Sequence, residues 1–269
     1  MSYDGFIKEH RSHYLRYAKN IFSQNGEDGV IEELFKDLDI SGGVVCEFGA
    51  WDGIWLSNIA NLYLKNENYQ AILIESDGNR CGECLELLKN YDNVEVYNCM
   101  VSYDKDSETS LDNILKLSDW DLSPDNFSLL SIDIDSSDYY VFESLERYSP
   151  KVVVIETSGL DYESITYNNG CSLKSVNKLG ISKGYSLVCH TGNAFFVRND
   201  LIHKLPDKDY SVENLSILMD EIMSFAEAAK PDGTLGSYNV ERGEVYYLSP
   251  EYSEFVNSTK NKLRKGEKL

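Results

Sequence analysis

The stretch "YSLVCHTGNAFFVRND", residues 185–200, constrains the fold more than any other. Two apolar runs, "YSLVCH" and "AFFVR", have only "TGN" between them. That leaves room for a tight turn alone, so the two strands are antiparallel neighbours. Upstream the pattern differs. Strand-like runs at "VVCEFG" (44–49), "QAILIES" (70–76), "VEVYNCMVS" (94–102), "SLLSIDID" (128–135) and "KVVVIETSG" (151–159) alternate with helical stretches at 55–66, 80–91, 110–118, 138–148 and 172–184. Strands joined through helices pair in parallel, with helices on both faces. The expected architecture is therefore a parallel α/β sheet closed by an antiparallel hairpin.

The flanks are read from the same patterns. The first ~20 residues look like an amphipathic helix or arm. In "FSQNGEDGVIEELFKDL" (22–38), Ser23 or Asn25 caps a helix with Val30, Ile31, Leu34, Phe35 and Leu38 on its apolar face. Glu27 and Asp28 suit the positive end of that helix. Beyond 200 come a helix over 211–230, a tyrosine-rich irregular tail with Tyr238, Tyr246, Tyr247 and Tyr252, and the basic end "KNKLRKGEKL". The basic end reads as a solvated terminus. The chain divides into a domain over 1–205, with 1–40 as an N-terminal helical segment, and an extension over 206–269 expected to act as a lid or a homodimer contact.

Charge narrows the partners. The 269 residues carry 45 acids against 25 bases, a net of −20, which disfavours nucleic acid and anionic membranes because phosphates are repelled. No apolar run approaches the ~20 residues of a membrane span. The N-terminus carries no signal-peptide core, and the six cysteines are scattered, so the expected setting is reduced and cytoplasmic. Cys81 and Cys84 in "RCGEC" have metal-site spacing but lack a second pair, which favours an inert helix face.

In "VVCEFGAWDGIWLSN" a strand runs into a glycine turn and then a helix-like segment. Gly49 permits the turn, Gly53 permits close approach of a ligand, and a helix start would offer free N–H groups. The G-x-x-x-G spacing matches neither the dinucleotide fingerprint nor the phosphate-binding loop. Glu47, two residues ahead, would repel a pyrophosphate. Glu75 ends the second strand, where folds of this kind bind ribose hydroxyls. Acids at both tips, with no lysine nearby in sequence, fit a ligand that has a ribose and positive charge but no phosphate. S-adenosylmethionine is such a ligand.

The chain resembles class I S-adenosylmethionine-dependent methyltransferases, most of all the FkbM-like group. "CEFGAWDG" is similar to that group's D/E-x-G-A-x-x-G motif. "FSQNGEDGVIEELF", "SNIANLYL", "AILIES", "SIDIDSSDYYVFESL" and "GYSLVCHTGNAFFVRNDL" resemble its other blocks in order, over about residues 21–201. The resemblance implies a Rossmann-like seven-stranded sheet with one antiparallel strand. It also implies cofactor contacts from Gln24, Glu47, Gly49, Ala50, Gly53, Ser57, Asn58, Glu75, Ser102 and Asp133. It implies O-methylation of a small-molecule acceptor, a sugar or a glycan or natural-product precursor. Where most of the group end the fourth strand in Asp-x-Glu-Gly, this chain has Asp133-x-Asp135-Ser136.

Asp133, Asp135, Glu156 and His190 all fall at strand ends, where open α/β sheets bind ligands. Three readings stay open. Asp133 or His190 is a general base for an acceptor hydroxyl. Alternatively Asp133, Asp135 and Glu156 hold Mg²⁺ or another divalent ion, as the similarity of "IDIDSSDYYVFESL" to metal-dependent sugar O-methyltransferases implies. Or the acids cap the next helix, the favoured reading for Asp138. Tyr139, Tyr140, Tyr162 and Tyr167 offer rings near these tips. Two competing classes remain: a binding protein that keeps the fold without catalysis, and a nicotinamide-dependent oxidoreductase, which the missing fingerprint disfavours.

Overall fold

The structure, a computed structural model, describes residues 13–134, 136–158, 165–166, 170–215, 237–239, 244–246 and 250–269. In chain order the strands are β1 (Gly43–Phe48), β2 (Tyr69–Glu75), β3 (Val94–Asn98), β4 (Phe127–Ile132), β5 (Val152–Glu156), β6 (Ile165–Thr166), β7 (Gly170–Cys171), β8 (Tyr185–His190), β9 (Asn193–Arg198), β10 (Ser237–Asn239) and β11 (Glu244–Tyr246). The α-helices are α1 (Glu27–Asp37), α2 (Ala60–Tyr63), α3 (Gly78–Leu88), α4 (Leu111–Leu115), α5 (Asp138–Ser144), α6 (Leu173–Ser182) and α7 (Pro250–Arg264).

Seven strands form one Rossmann-like sheet in the order β3-β2-β1-β4-β5-β9-β8. Pairings from β3 to β5 are parallel. β9 runs antiparallel to both β5 and β8, so the hairpin closes the sheet as its sequence requires. Strand alternation sends Val44, Cys46, Phe48, Leu130 and Ile132 to the face packed by α4, α5 and α6. Val45, Leu73, Leu129 and Val154 point to the other face, covered by α1, α3 and α7. Each face thus buries its own apolar layer, as a sheet covered on both sides must.

Two helices expected from the sequence are shorter in the structure, and a third is described only at its start. The helix expected over 55–66 is only Ala60–Tyr63, because the chain from Gly49 to Ile59 is held as a loop by side-chain acceptors. Within 13–20 the helical structure is one short 3-10 turn, Leu15–Tyr17. Of the helix expected over 211–230, Ser211 precedes the helical residues 212–215, and residues 216–230 lie outside the described residues.

The basic end is corrected in part: residues 260–264 belong to α7, which begins at Pro250, where a missing N–H costs a helix nothing, while residues 265–269 lie beyond it and are exposed as expected. Tyr252, Val256, Thr259, Lys260 and Leu263 form its buried stripe at helical spacing. Lys260 is inside the protein, Arg264 donates to Glu83 at 2.9 Å and Lys268 to Glu67 at 2.9 Å.

All six cysteines are free, and Cys81 and Cys84 are buried on α3, Cys84 beneath Gly53. Among the described residues no helix is long and apolar enough to cross a membrane.

Candidate functional site

Strand order reverses between β1 and β4: β2 and β3 lie on one side of that gap, β5 and the hairpin on the other. Open α/β sheets bind ligands at such a switch point, beyond the carboxyl ends of the strands. The residues there come from three adjacent tips. β2 ends in Glu75, β1 leads into the Gly49–Gly53 turn, and β4 leads into Asp133.

The turn is tightly specified. Gly49 has φ +78°, and a Cβ there would lie 1.8 Å from the Asp133 carbonyl oxygen. No other residue fits, and the contact places Asp133 beside the turn. The amides of Gly49 and Ala50 donate to the Ile74 carbonyl at 3.1 and 3.2 Å. Trp51 (φ +51°) and Leu56 (φ +56°) adopt the left-handed region without being glycine, each at a cost on the order of 1–3 kcal/mol. Glu75, buried at 7% exposure, receives the Trp51 N–H at 2.7 Å on Oε2 and the Asp77 N–H at 2.7 Å on Oε1. With a third, long bond from Ser76 Oγ at 3.4 Å, the carboxylate still has a lone pair left for a ligand hydroxyl. Asp77 itself caps α3 by accepting from Asn79 and Arg80.

Glu47 sits one layer deeper, 3% exposed. Its carboxyl accepts Ser57 Oγ at 2.5 Å and the Asn58 N–H at 2.8 Å. Asn58 Nδ2 continues to Ser131 Oγ on β4 at 3.1 Å. Burial pushes the Glu47 carboxyl up to about 7 against the pull of these donors. Glu47, Ser57 and Asn58 therefore form a closed relay behind the turn. Glu75 and the exposed Gly49 and Trp51 form its outer surface. The helix-start N–H groups expected here are already bound: Asp52 Oδ1 takes Ile54 and Trp55, and Ser57 Oγ takes Ile59 and Ala60.

The sequence reading found no lysine near this turn. The fold brings one from 208 residues along, where Lys260 Nζ pairs with the fully buried Asp52. Arg80 lies 4.0 Å from the centroid of the Trp51 ring. Ser102 is on the loop after β3, and its Oγ accepts the Asp104 N–H at 3.1 Å. Gln24 is half-buried on the loop before α1, its carbonyl held by Asn20 Nδ2 at 2.7 Å.

The tips of β4, β5 and β8 make a second group. Asp133 is half-buried. Asp138 is fully buried and accepts the Ile134 N–H at 2.9 Å and the Ser136 N–H at 3.1 Å, amides of the loop ahead of α5 and not of its first turn, so these bonds tie the loop and are not the helix cap expected of it. Asp135 lies outside the described residues, as do Tyr162, Tyr167 and Tyr247. Tyr139 and Tyr140 stand edge to face, with Tyr103 5.7 Å from Tyr140. Glu156 and Asp138 both lie close enough to Cys171 to help burial push its thiol up to about 12.

His190 Nε2 meets Thr157 Oγ1 at 2.8 Å, and Thr157 Oγ1 also meets the Gly192 carbonyl at 2.6 Å. The threonine has one proton, and the carbonyl can only accept it. Nε2 therefore carries the imidazole proton, and Nδ1, enclosed and without a hydrogen-bond partner among the described residues, carries the lone pair. Burial lowers the ring's pKa to about 4, so it is neutral at pH 7. Among the described residues no group of three or more His, Cys, Asp or Glu could hold a metal ion.

Glu27 was expected only to suit the positive end of α1. It is fully buried and joins α1 to the hairpin, accepting Thr191 Oγ1 at 3.1 Å and Asn193 Nδ2 at 3.0 Å. Its neighbour Asp28 gathers the amides of Ile21, Phe22 and Ser23. Two acids directly before an apolar helix were read as dipole partners, and only the fold shows them internal.

No protein-family model matches the sequence, and no curated protein matches it. Among solved structures, the chain is similar to a SAM dependent methyltransferase from Aquifex aeolicus, at 12% identity and TM-score 0.40, covering 73% of this chain and 97% of that one. It is also similar to the CurJ carbon methyltransferase, at 13% identity and TM-score 0.42, covering 63% of this chain and about half of that one, 52%. A third is M. jannaschii TYW2 in complex with AdoMet, at 16% identity and TM-score 0.37, covering 67% and 80%. The likenesses are distant, and the functional reading rests on the site itself.

Proposed function

We propose that the protein is an S-adenosylmethionine-dependent methyltransferase of the FkbM-like kind, acting on a hydroxyl of a sugar-bearing small molecule. One observation carries this reading: Glu75, the Gly49–Gly53 turn and Asp133 meet at the switch point of the sheet, with Glu47 buried behind them. That donor set suits a ligand with ribose hydroxyls and positive charge. It does not suit a pyrophosphate, because the loop amides are satisfied, Lys260 is spent on Asp52 and acids line the turn.

S-adenosylmethionine would supply an electrophilic methyl group on a sulfonium. Glu75 would accept the ribose hydroxyls, and the Gly49–Trp51 backbone would let the ligand approach closely. The ionised form of Glu47 would favour the positive end through the dry interior. Asp133, next to the turn, would hold the acceptor hydroxyl in line and take its proton as the carbon–oxygen bond forms and the methyl carbon–sulfur bond breaks, the electron pair leaving with S-adenosylhomocysteine. His190, the second candidate for that proton, is the poorer base, because its Nδ1 is enclosed and burial lowers the ring's pKa to about 4. Asp133, Asp135 and Glu156 remain the proposed ligands of a divalent ion that would orient adjacent sugar hydroxyls. The acid set alone supports that assignment.

Calorimetric titration with S-adenosylhomocysteine, alongside ATP and NAD⁺, tests the reading. Micromolar binding of the first alone, weakened at least tenfold in Glu75→Ala, is the expected result. Binding of NAD⁺ without S-adenosylhomocysteine would replace it with the oxidoreductase reading. Binding of none by folded protein would leave the non-catalytic binding protein.

A further inference from the structure

The loop from Trp51 to Leu56 is strained at both ends and is not stabilised by its own residues alone. At one end the Trp51 N–H is held by Glu75. At the other, the Leu56 N–H donates to the Tyr252 hydroxyl at 3.3 Å, and that hydroxyl in turn donates to the Phe22 carbonyl. Between them Asp52 is wholly buried. One of its oxygens accepts the Ile54 and Trp55 amides at 3.0 and 2.8 Å, and the other pairs with Lys260 Nζ. The Lys260 ammonium also lies 5.5 Å from the centroid of the Trp55 ring, and the Tyr252 ring stands edge to face with that ring at 5.6 Å. Tyr252 and Lys260 are two turns apart on one stripe of α7. A buried carboxylate organising two amides needs a counter-charge, and a lysine carried into the interior on a helix supplies it.

We propose that α7 is a positioning element of the ligand site: Lys260 and Tyr252 fix the Trp51–Leu56 loop in its binding conformation, so the far end of the chain completes the cradle. Lys260 is a positioning residue and acts through Asp52. The inference rests on the proposed cofactor site for its consequence in binding, while the clamp itself is independent of what binds there. In the clamped state the loop is pre-organised, and a ligand does not have to order it. Released from α7, Trp51 and Leu56 relax out of the left-handed region and the turn loses its shape.

The test uses the full chain with Lys260→Met, Lys260→Arg and the double variant Asp52→Asn/Lys260→Met, which removes the charge pair together. Hydrogen exchange is read at residues 51–58 and, as a reference, at β5 and β9. S-adenosylhomocysteine affinity is read by calorimetry. The expected result is exchange at 51–58 at least tenfold faster in Lys260→Met and in the double variant, with the reference strands unchanged. Binding should weaken about tenfold in both, and Lys260→Arg should retain most of the wild-type behaviour. Loop exchange unchanged in the double variant, or faster in equal proportion everywhere, would overturn the proposal. If the wild type binds no S-adenosylhomocysteine, the proposed function fails, and the exchange data alone decide the clamp.

Discussion

The connections after β1 and after β4 both leave a strand tip at the switch point, and both are organised by a buried aspartate that collects backbone amides. They differ in what completes them. The segment after β4 is closed from within: Asp138 turns back on Ile134 and Ser136 and then opens α5. The loop after β1 is closed from outside, by Glu75 on one flank and by Lys260 and Tyr252 of α7 on the other. The lesson concerns acid clusters. Asp52, Asp77 and Asp138 are taken up by local backbone amides, and an acid marks a ligand site only where acceptor capacity is left over, as at Glu75.

The severest way to break the comparison is Gly49→Ala. A methyl group 1.8 Å from the Asp133 carbonyl, at φ +78°, cannot be accommodated without parting β1 from β4. Stability should fall by more than about 4 kcal/mol, read by denaturant unfolding, or folded protein should be lost. A variant within about 1 kcal/mol of wild type would refute the packing described.

The next effect is pH-dependent. Glu47 ionises near its ordinary value in the unfolded chain but only at about 7 in the fold. The folded state therefore keeps a proton that the unfolded state has lost. That advantage is full below the ordinary carboxylate range and disappears as pH rises through about 7. Wild type should lose roughly 3 kcal/mol relative to Glu47→Gln between pH 4.5 and 7. A constant difference between the two across that range would contradict the burial of Glu47. Binding sharpens the point: a cationic ligand favours ionised Glu47, so affinity for S-adenosylmethionine should rise from pH 6 to pH 8 in the wild type and stay flatter in Glu47→Gln.

Asp138→Ala removes the acceptor for two amides in the self-closed segment and should cost about 2 kcal/mol by thermal or chemical unfolding. The smallest effect is expected at the rim of α7. Arg264→Ala breaks a partly exposed pair with Glu83 and should change stability by no more than about 0.5 kcal/mol. A large loss there would mean that α7 is held by its charges and not by its buried stripe.

Much of this architecture is legible in the sequence. The alternation of apolar strands with amphipathic helices, and the three-residue gap before "AFFVR", fix a sheet closed by a hairpin. Acids placed at strand ends locate the switch-point residues Glu75 and Asp133. The loop after β1 is not legible. "WLSNIANLYL" has helical spacing, but Ser57 and Asn58 turn to Glu47, contacts ten and eleven residues back that local propensity does not encode. Nor is α7. Its buried stripe includes Lys260 and Thr259, polar residues at core positions, so the apolar period that marks other helices is interrupted where the clamp lies. The tautomer of His190 was likewise unreadable, because it depends on Thr157 and Gly192, brought together only by the sheet.

The central claim is that the tips of β2, β1 and β4 form one cradle for S-adenosylmethionine. A crystal structure of the protein grown with S-adenosylhomocysteine tests it most directly. The account predicts the ligand over Gly49–Trp51, with ribose hydroxyls on the Glu75 carboxylate and the sulfur facing Asp133. Ligand bound at any other edge of the sheet, or a ribose without contact to Glu75, would contradict it.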